Sequence, residues 1–235
     1  MAVKRSEIVD SNTAGYYHLM TRCVRRAYLC GKDAKTGQSF EHRREWIENR
    51  ILQLAEIFSI EIYAYAVMSN HYHIVVYSDP KLPEKWSDEE VARRWLQAFP
   101  GKLESPQFQH LRQAKIRAIT EDKQLLSSYR QRLGSLSWFM KQINEPIAKR
   151  SNREDSVTGH FWEARFKSQA LLDDAALLTC MAYVDLNPIR AKTCNSLKAS
   201  KHTSIKNRIK NLSEDNLQQQ IKPLAGPLCQ TSCRL

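Results

Sequence analysis

Residues 60–77 read IEIYAYAVMSNHYHIVVY. Ile60–Val67 is dense in β-branched and aromatic residues, which suit a pleated strand. Ser69-Asn70 makes a short turn, and His71–Tyr77 then reads as a second strand of the same kind. So short a link pairs the two as an antiparallel hairpin. Upstream, Tyr16–Cys23 (YYHLMTRC) predicts a first strand, followed by a turn-like stretch through Gly31, Asp33 and Gly37. From Phe40 to Phe58, apolar residues recur at Trp46, Ile47, Ile51, Leu54, Ala55 and Phe58, a helical spacing with Ser39 as N-cap. The order so far is strand, helix, strand, strand.

Downstream of the hairpin, Asp79–Arg132 reads as a helical insertion of two Pro-bounded, charged pieces with Trp86, Trp95 and Leu96 as their apolar residues. A helix is expected over Leu136–Lys149, kinked or ended early by Pro146, then a polar loop over Ser151–Gly159. Phe161–Leu172 predicts the last strand. Asp173 or Asp174 caps a helix that runs through Asn187 and stops at Pro188. Residues 1–194 form the expected domain, with 79–132 inserted. Residues 195–235 form a polar extension, expected as a peripheral helix and a loose tail.

Hydrophobic residues make up 42% of the 235, enough for a sizeable core. The longest nearly unbroken apolar stretch, Ile60–Met68, is far short of a membrane span. The first residues, Met-Ala-Val-Lys-Arg-Ser-Glu, carry no apolar core of a secretory signal. The expectation is a cytoplasmic protein with no membrane partner, a monomer or homodimer. Six cysteines, at 23, 30, 180, 194, 229 and 233, form no CxxC pair. That argues against a zinc ribbon or redox motif and for reduced thiols, mostly core filler. The net charge is +11, from 36 Lys and Arg against 25 Asp and Glu. Such an excess favours a polyanionic partner, because neutralising phosphates releases condensed counterions.

Two groups of residues carry candidate chemistry. His71 and His73 are separated by one residue on a strand, so both imidazoles share a face while Tyr72, Ile74 and Val76 take the other. Two adjacent imidazoles on an apolar strand are costly unless satisfied. Hydrogen bonds or solvent can do this, and so can a divalent metal. On the helix after Asp174, Leu177, Cys180, Met181 and Val184 form the stripe that should pack on the sheet. Tyr183 and Asn187, four residues apart, border it on one face. Asn187 could add an amide oxygen to a metal shell, or simply cap the helix before Pro188. Tyr183 could attack a phosphate held there, or be an amphipathic residue at the core edge.

The run Val67-Met68-Ser69-Asn70-His71-Tyr72-His73-Ile74-Val75-Val76 resembles the HUH motif (His, bulky apolar residue, His) of single-tyrosine transposases. Tyr183-Val184-Asp185-Leu186-Asn187-Pro188-Ile189-Arg190-Ala191 is similar to the Y-[IV]-x-x-N-P-[VI]-[RK] signature of their REP-associated branch. Between them, Gly159–Ser168 (GHFWEARFKS) resembles that branch's G-x-[LF]-W-[EQ]-x-R-[FY]-K-S block. The three blocks occur in the family's order and span about Tyr16 to Cys194. The chain differs from compact members in its long insertion and in having Tyr72 as the middle HUH residue.

The resemblance implies an α+β fold, ferredoxin-like or RRM-like, with an antiparallel sheet and helices on one face. It implies His71 and His73 as metal ligands, Asn187 as third ligand, and Tyr183 as the nucleophile that forms a 5′-phosphotyrosine. Mg²⁺ or Mn²⁺ suits such a phosphate site. The expected partner is single-stranded or hairpin DNA of the REP type. Arg22, Arg25, Arg26, Arg165, Lys167 and Arg190 are candidate phosphate contacts, and Trp162 or Phe166 a stacking surface for an unpaired base. Three rival readings remain. One is a non-cutting binder of hairpin DNA. Another is an RRM-like RNA binder, against which stands the lack of an RNP1 pattern. The third is a phosphodiesterase that uses water.

Overall fold

A computed structural model of the chain describes residues 13–24, 29–33 and 36–213. Its core is a four-stranded antiparallel sheet of β1 (Gly15–Arg22), β2 (Ile60–Val67), β3 (His71–Ser78) and β4 (Lys167–Leu171), in the order β2-β3-β1-β4. Helix α1 (His42–Ala55) links β1 to β2. Between β3 and β4 come α2 (Asp88–Ala98), α3 (Arg112–Glu121), α4 (Lys123–Leu133) and α5 (Leu136–Glu154). Strand, helix, strand, strand, helix, strand in this sheet order is the ferredoxin-like arrangement. Two more helices follow β4: α6 (Asp174–Arg190) and α7 (Ser204–Ser213).

The hairpin read from residues 60–77 forms with Ala66 opposite His73 and Val67 opposite Tyr72. A register shift between Ile62 and Ala64 hands the apolar residues of β2 from one sheet face to the other. On one face, Tyr17, Leu19, Tyr72, Ile74 and Val76 pack with Ile47 and Ile51 of α1 and Phe139, Met140 and Ile143 of α5. On the other, Tyr16, Ala64, Ala66, Val75 and Leu171 pack with Leu177 and Val184 of α6, flanked by Cys180 and Met181. The helices therefore occupy both faces, where one had been expected. The physical reason is that β2 and β3 are apolar on both sides, and the second side needs a cover. Leu177 and Val184 supply it, at roughly 1.5–3 kcal/mol per fully buried side chain.

Several elements depart from the sequence-based expectation. Helix α5 passes through Pro146 and on to Glu154, taking in the start of the expected polar loop. Pro146 cannot donate to the carbonyl of Gln142, and the Arg50 Nε–H of α1 takes that carbonyl at 3.1 Å. Helix α6 likewise passes Pro188 to Arg190 and closes where the backbone N–H and hydroxyl of Thr193 both donate to the Pro188 carbonyl. Strand β4 is only Lys167–Leu171. Phe161 and Phe166 are buried in the core, and the stretch before β4 joins the end of β1 through the Cys23–Trp162 bridge, with Val24 N–H donating to the Phe161 carbonyl and Glu163 N–H to that of Arg22. Glu41 rather than Ser39 stands at the α1 N-cap, without a side-chain cap bond. The insertion holds three helices and several 3₁₀ turns, not two pieces. Asp122 divides α3 from α4 by accepting the Leu125 N–H at 2.9 Å. Trp95 stacks between Tyr129 (3.9 Å) and Phe99 (4.0 Å), joining the insertion to the main core.

Part of the polar extension is built into the fold. Thr203 bridges to Ala66, and Val67 N–H donates to the His202 carbonyl at 3.1 Å, so this segment covers the free edge of β2. Ser204 donates to Asp185 of α6 at 2.9 Å, and Arg208 pairs with the same carboxylate and donates to the Tyr63 carbonyl. Arg208→Ala is expected to lower unfolding stability by about 1–3 kcal/mol, since it strips a largely buried carboxylate of its charge partner. An unshifted midpoint in urea would show that α7 contributes nothing to holding α6. The expected loose tail beyond residue 213, with Cys229 and Cys233, lies outside the described residues. Cys23 and Cys30 are buried in the core, as core filler should be. No helix among the described residues is long and apolar enough to cross a membrane.

Candidate active site

The strand alternation of β3 puts His71 and His73 on the α6 face and Tyr72 on the opposite one, as the sequence predicts. Tyr72 is fully buried, its hydroxyl donating to Asn144 Oδ1 at 2.6 Å, and burial raises its pKa. His73 is only 2% exposed. Its ring centroid lies 4.8 Å from that of His71 and 5.7 Å from that of Tyr183. Tyr183 itself is 40% exposed, so its phenol stands at a rim where a large substrate can reach it. Asn187, one turn further along α6, is buried.

The site contains a third imidazole that the sequence reading missed. His18 of β1 meets His73 with Nε2 to Nδ1 at 2.9 Å, and its ring centroid is 6.3 Å from that of Tyr183. The signal lay in topology. In this sheet β1 lies beside β3, and Tyr16, His18, Met20 and Arg22 share the face of His71 and His73. A lone histidine in a strand gave no hint before that adjacency was known.

Burial disfavours the imidazolium throughout the cluster. The pKa of His18 falls below its ordinary value by burial, and that of His71 by burial and then by Arg22, its direct cross-strand partner. His73 is pushed down to about 3, by burial first and then by His71 and His18. All three rings are therefore neutral at physiological pH and keep a lone pair for a proton donor or a metal. His71 Nδ1 contacts Asn70 Oδ1 at 2.6 Å. Nε2 of His73 is buried with no hydrogen-bond partner among the described residues. An orphaned buried nitrogen costs free energy unless something unseen occupies it. No three His, Cys, Asp or Glu side chains among the described residues form a ready metal cage. The orphaned His73 Nε2, beside the His71 ring, is the one observation at the site that suits a cation.

Of the basic candidates, Arg190 is exposed, and its guanidinium lies 5.4 Å from the Tyr183 ring centroid, within cation–π range. Arg22 is exposed directly opposite His71. Lys167, exposed, pairs with Met20, which pairs with His73, so it stands about 10 Å from His73 at two strand spacings. Arg25 and Arg26 lie outside the described residues. Arg165 is in the loop before β4, not on the strand. Trp162 bridges to Cys23 and so belongs to the Tyr72 face, its indole N–H donating to the Asn144 carbonyl at 2.9 Å. It is thus separated from the imidazoles by the sheet. There, Trp162, Arg165, Phe166, Lys141 and His160 line an open cavity of about 720 Å³.

These features define a class: a mixed α+β protein with a ferredoxin-like sheet and a tyrosine-bearing helix packed over two strand histidines. The same fold occurs in a solved REP-associated tyrosine transposase bound to a REP hairpin. The match has a TM-score of 0.53 at 12% identity, over 89% of this chain and 86% of that one. No protein-family model matches the chain, and no curated protein does.

Proposed function

We propose that this protein is a metal-dependent endonuclease and strand transferase acting on single-stranded or hairpin-containing DNA, with Tyr183 as its nucleophile. The observation that carries this reading is the exposed Tyr183 ring, 5.7 Å from a buried histidine whose Nε2 has no partner. The +11 charge and the shared fold with a hairpin-bound transposase support it.

In this reading His71, His73 and Asn187 hold a Mg²⁺ or Mn²⁺ ion. When bound, the ion neutralises charge on the scissile phosphate. Tyr183 Oη bonds to the phosphorus, the bond from phosphorus to the 3′ oxygen breaks, and the phenol proton ends on that oxygen. The products are a 5′-phosphotyrosine and a free 3′-OH. The phosphodiester energy stays in the new ester, so a second 3′-OH can reverse the step without ATP. Arg190, Arg22 and Lys167 flank the site, Arg25 and Arg26 follow Arg22 in sequence, and Arg165 lines the cavity on the other sheet face, where the half-buried Trp162 receives an unpaired base.

The test is incubation of the protein with a 3′-labelled hairpin oligonucleotide and Mn²⁺, read on a denaturing gel. A slow-migrating protein–DNA band that fails to form when EDTA is present is the expected result. Binding without any adduct would make the protein a hairpin-DNA binder that does not cut, and cutting without an adduct a phosphodiesterase that uses water. Binding should also weaken steeply with salt. Each phosphate contact on a single strand contributes a slope of about −0.7 in log K against log salt, so losing Arg165, Lys167 and Arg190 together should flatten it by roughly 2. An unchanged slope would move the DNA path elsewhere, with the helical insertion next to be tested.

A further inference from the structure

His18 has no part in the chemistry proposed above, yet among the described residues it is the side chain that hydrogen-bonds directly to His73. The two rings are nearly coplanar, at 20°, with centroids 5.1 Å apart and the facing nitrogens at 2.9 Å. That is an edge-to-edge bond along the ring planes, where imidazole lone pairs and N–H bonds lie, rather than a face-to-face stack. One proton sits between the two nitrogens, and a neutral imidazole has only one to give. If His73 Nδ1 donates, His73 Nε2 keeps its lone pair. If His18 Nε2 donates instead, the His73 proton must sit on Nε2, a buried N–H with no acceptor among the described residues. Orphaned buried donors are rare in folded proteins, which favours the first arrangement.

We infer that His18 is a positioning residue, accepting a hydrogen bond from His73 Nδ1 and so fixing the tautomer that presents Nε2 to a divalent cation. The inference rests on the metal-dependent reading above. Metal-binding histidines generally donate their second ring N–H to such a partner, and removing the partner typically weakens metal binding. The neighbouring strand thus does for His73 what carboxylates and backbone carbonyls do elsewhere.

The experiment uses the full chain and two variants, His18→Leu and His18→Gln. Nitrogen-15 NMR of the metal-free proteins reads the His73 tautomer, and electron paramagnetic resonance of free Mn²⁺ reads metal affinity. The wild type should show His73 protonated at Nδ1 alone. His18→Leu should mix the tautomers and weaken Mn²⁺ binding by about 10–100-fold. His18→Gln, whose amide oxygen can accept the same bond, should restore both toward wild type. A wild-type His73 protonated at Nε2 overturns the inference outright, even if His18→Leu fails to fold. So does a His18→Leu protein with unchanged tautomer and affinity, or a His18→Gln protein no better than His18→Leu. A wild type that holds the Nδ1–H tautomer but binds no Mn²⁺ supports the His18–His73 bond and counts against the metal-dependent function.

Discussion

Tyr183→Phe is expected to abolish covalent attachment to DNA while leaving DNA affinity nearly intact. The substitution removes one hydroxyl from a residue that is 40% exposed, and the phenylalanine ring keeps the contacts with His18, His73 and Arg190. Its effect on folding should stay within about 0.5 kcal/mol, as for most exposed positions. No second hydroxyl replaces it: Tyr72 is fully buried on the opposite sheet face with its hydroxyl bonded to Asn144. Adduct formation that persists in Tyr183→Phe but disappears in Tyr72→Phe would reverse the assignment.

His71→Ala and His73→Ala should each cut metal-dependent cleavage by several orders of magnitude. Loss of a ligand or its supporting shell costs roughly 10–100-fold in affinity or activity, and losing phosphate polarisation adds to that. The two variants should differ in stability. His71 is half-buried, whereas His73 is almost wholly enclosed and its removal also orphans His18, so His73→Ala needs a thermal-unfolding control. Asn187→Ala should be milder, because water can replace one amide ligand. Cleavage that continues in EDTA would remove the metal from the account altogether.

The sequence made the hairpin legible because residues 60–77 follow local rules almost throughout, with β-rich strands, a short polar link and alternation that sends Tyr72 inward; the register shift between Ile62 and Ala64 is the exception. The stripe of Leu177, Cys180, Met181 and Val184 was legible for the same reason, since helical spacing is local. What stayed hidden depends on partners distant in sequence. Pro146 is tolerated because Arg50, supplied by another helix, takes the carbonyl the proline leaves free. The aromatic stretch Phe161–Phe166 reads as continuous strand, but it meets the end of β1 through an isolated bridge at Cys23 and Trp162, and regular pairing begins only at Lys167. Its Trp162 consequently lies across the sheet from the imidazoles. The clasp of Ser204 and Arg208 on Asp185 joins two stretches that each read as ordinary polar sequence. His18 is the clearest case, because its meaning depends entirely on which strand lies beside β1.

The most direct test is to identify the residue that carries DNA. After incubation with a hairpin oligonucleotide and Mn²⁺, the covalent complex is digested with nuclease and trypsin, and the modified peptide is sequenced by mass spectrometry. A nucleotide 5′-phosphate esterified to Tyr183 is the predicted result. Modification at Tyr72 or any other side chain, or cleaved DNA with no modified peptide, would contradict it.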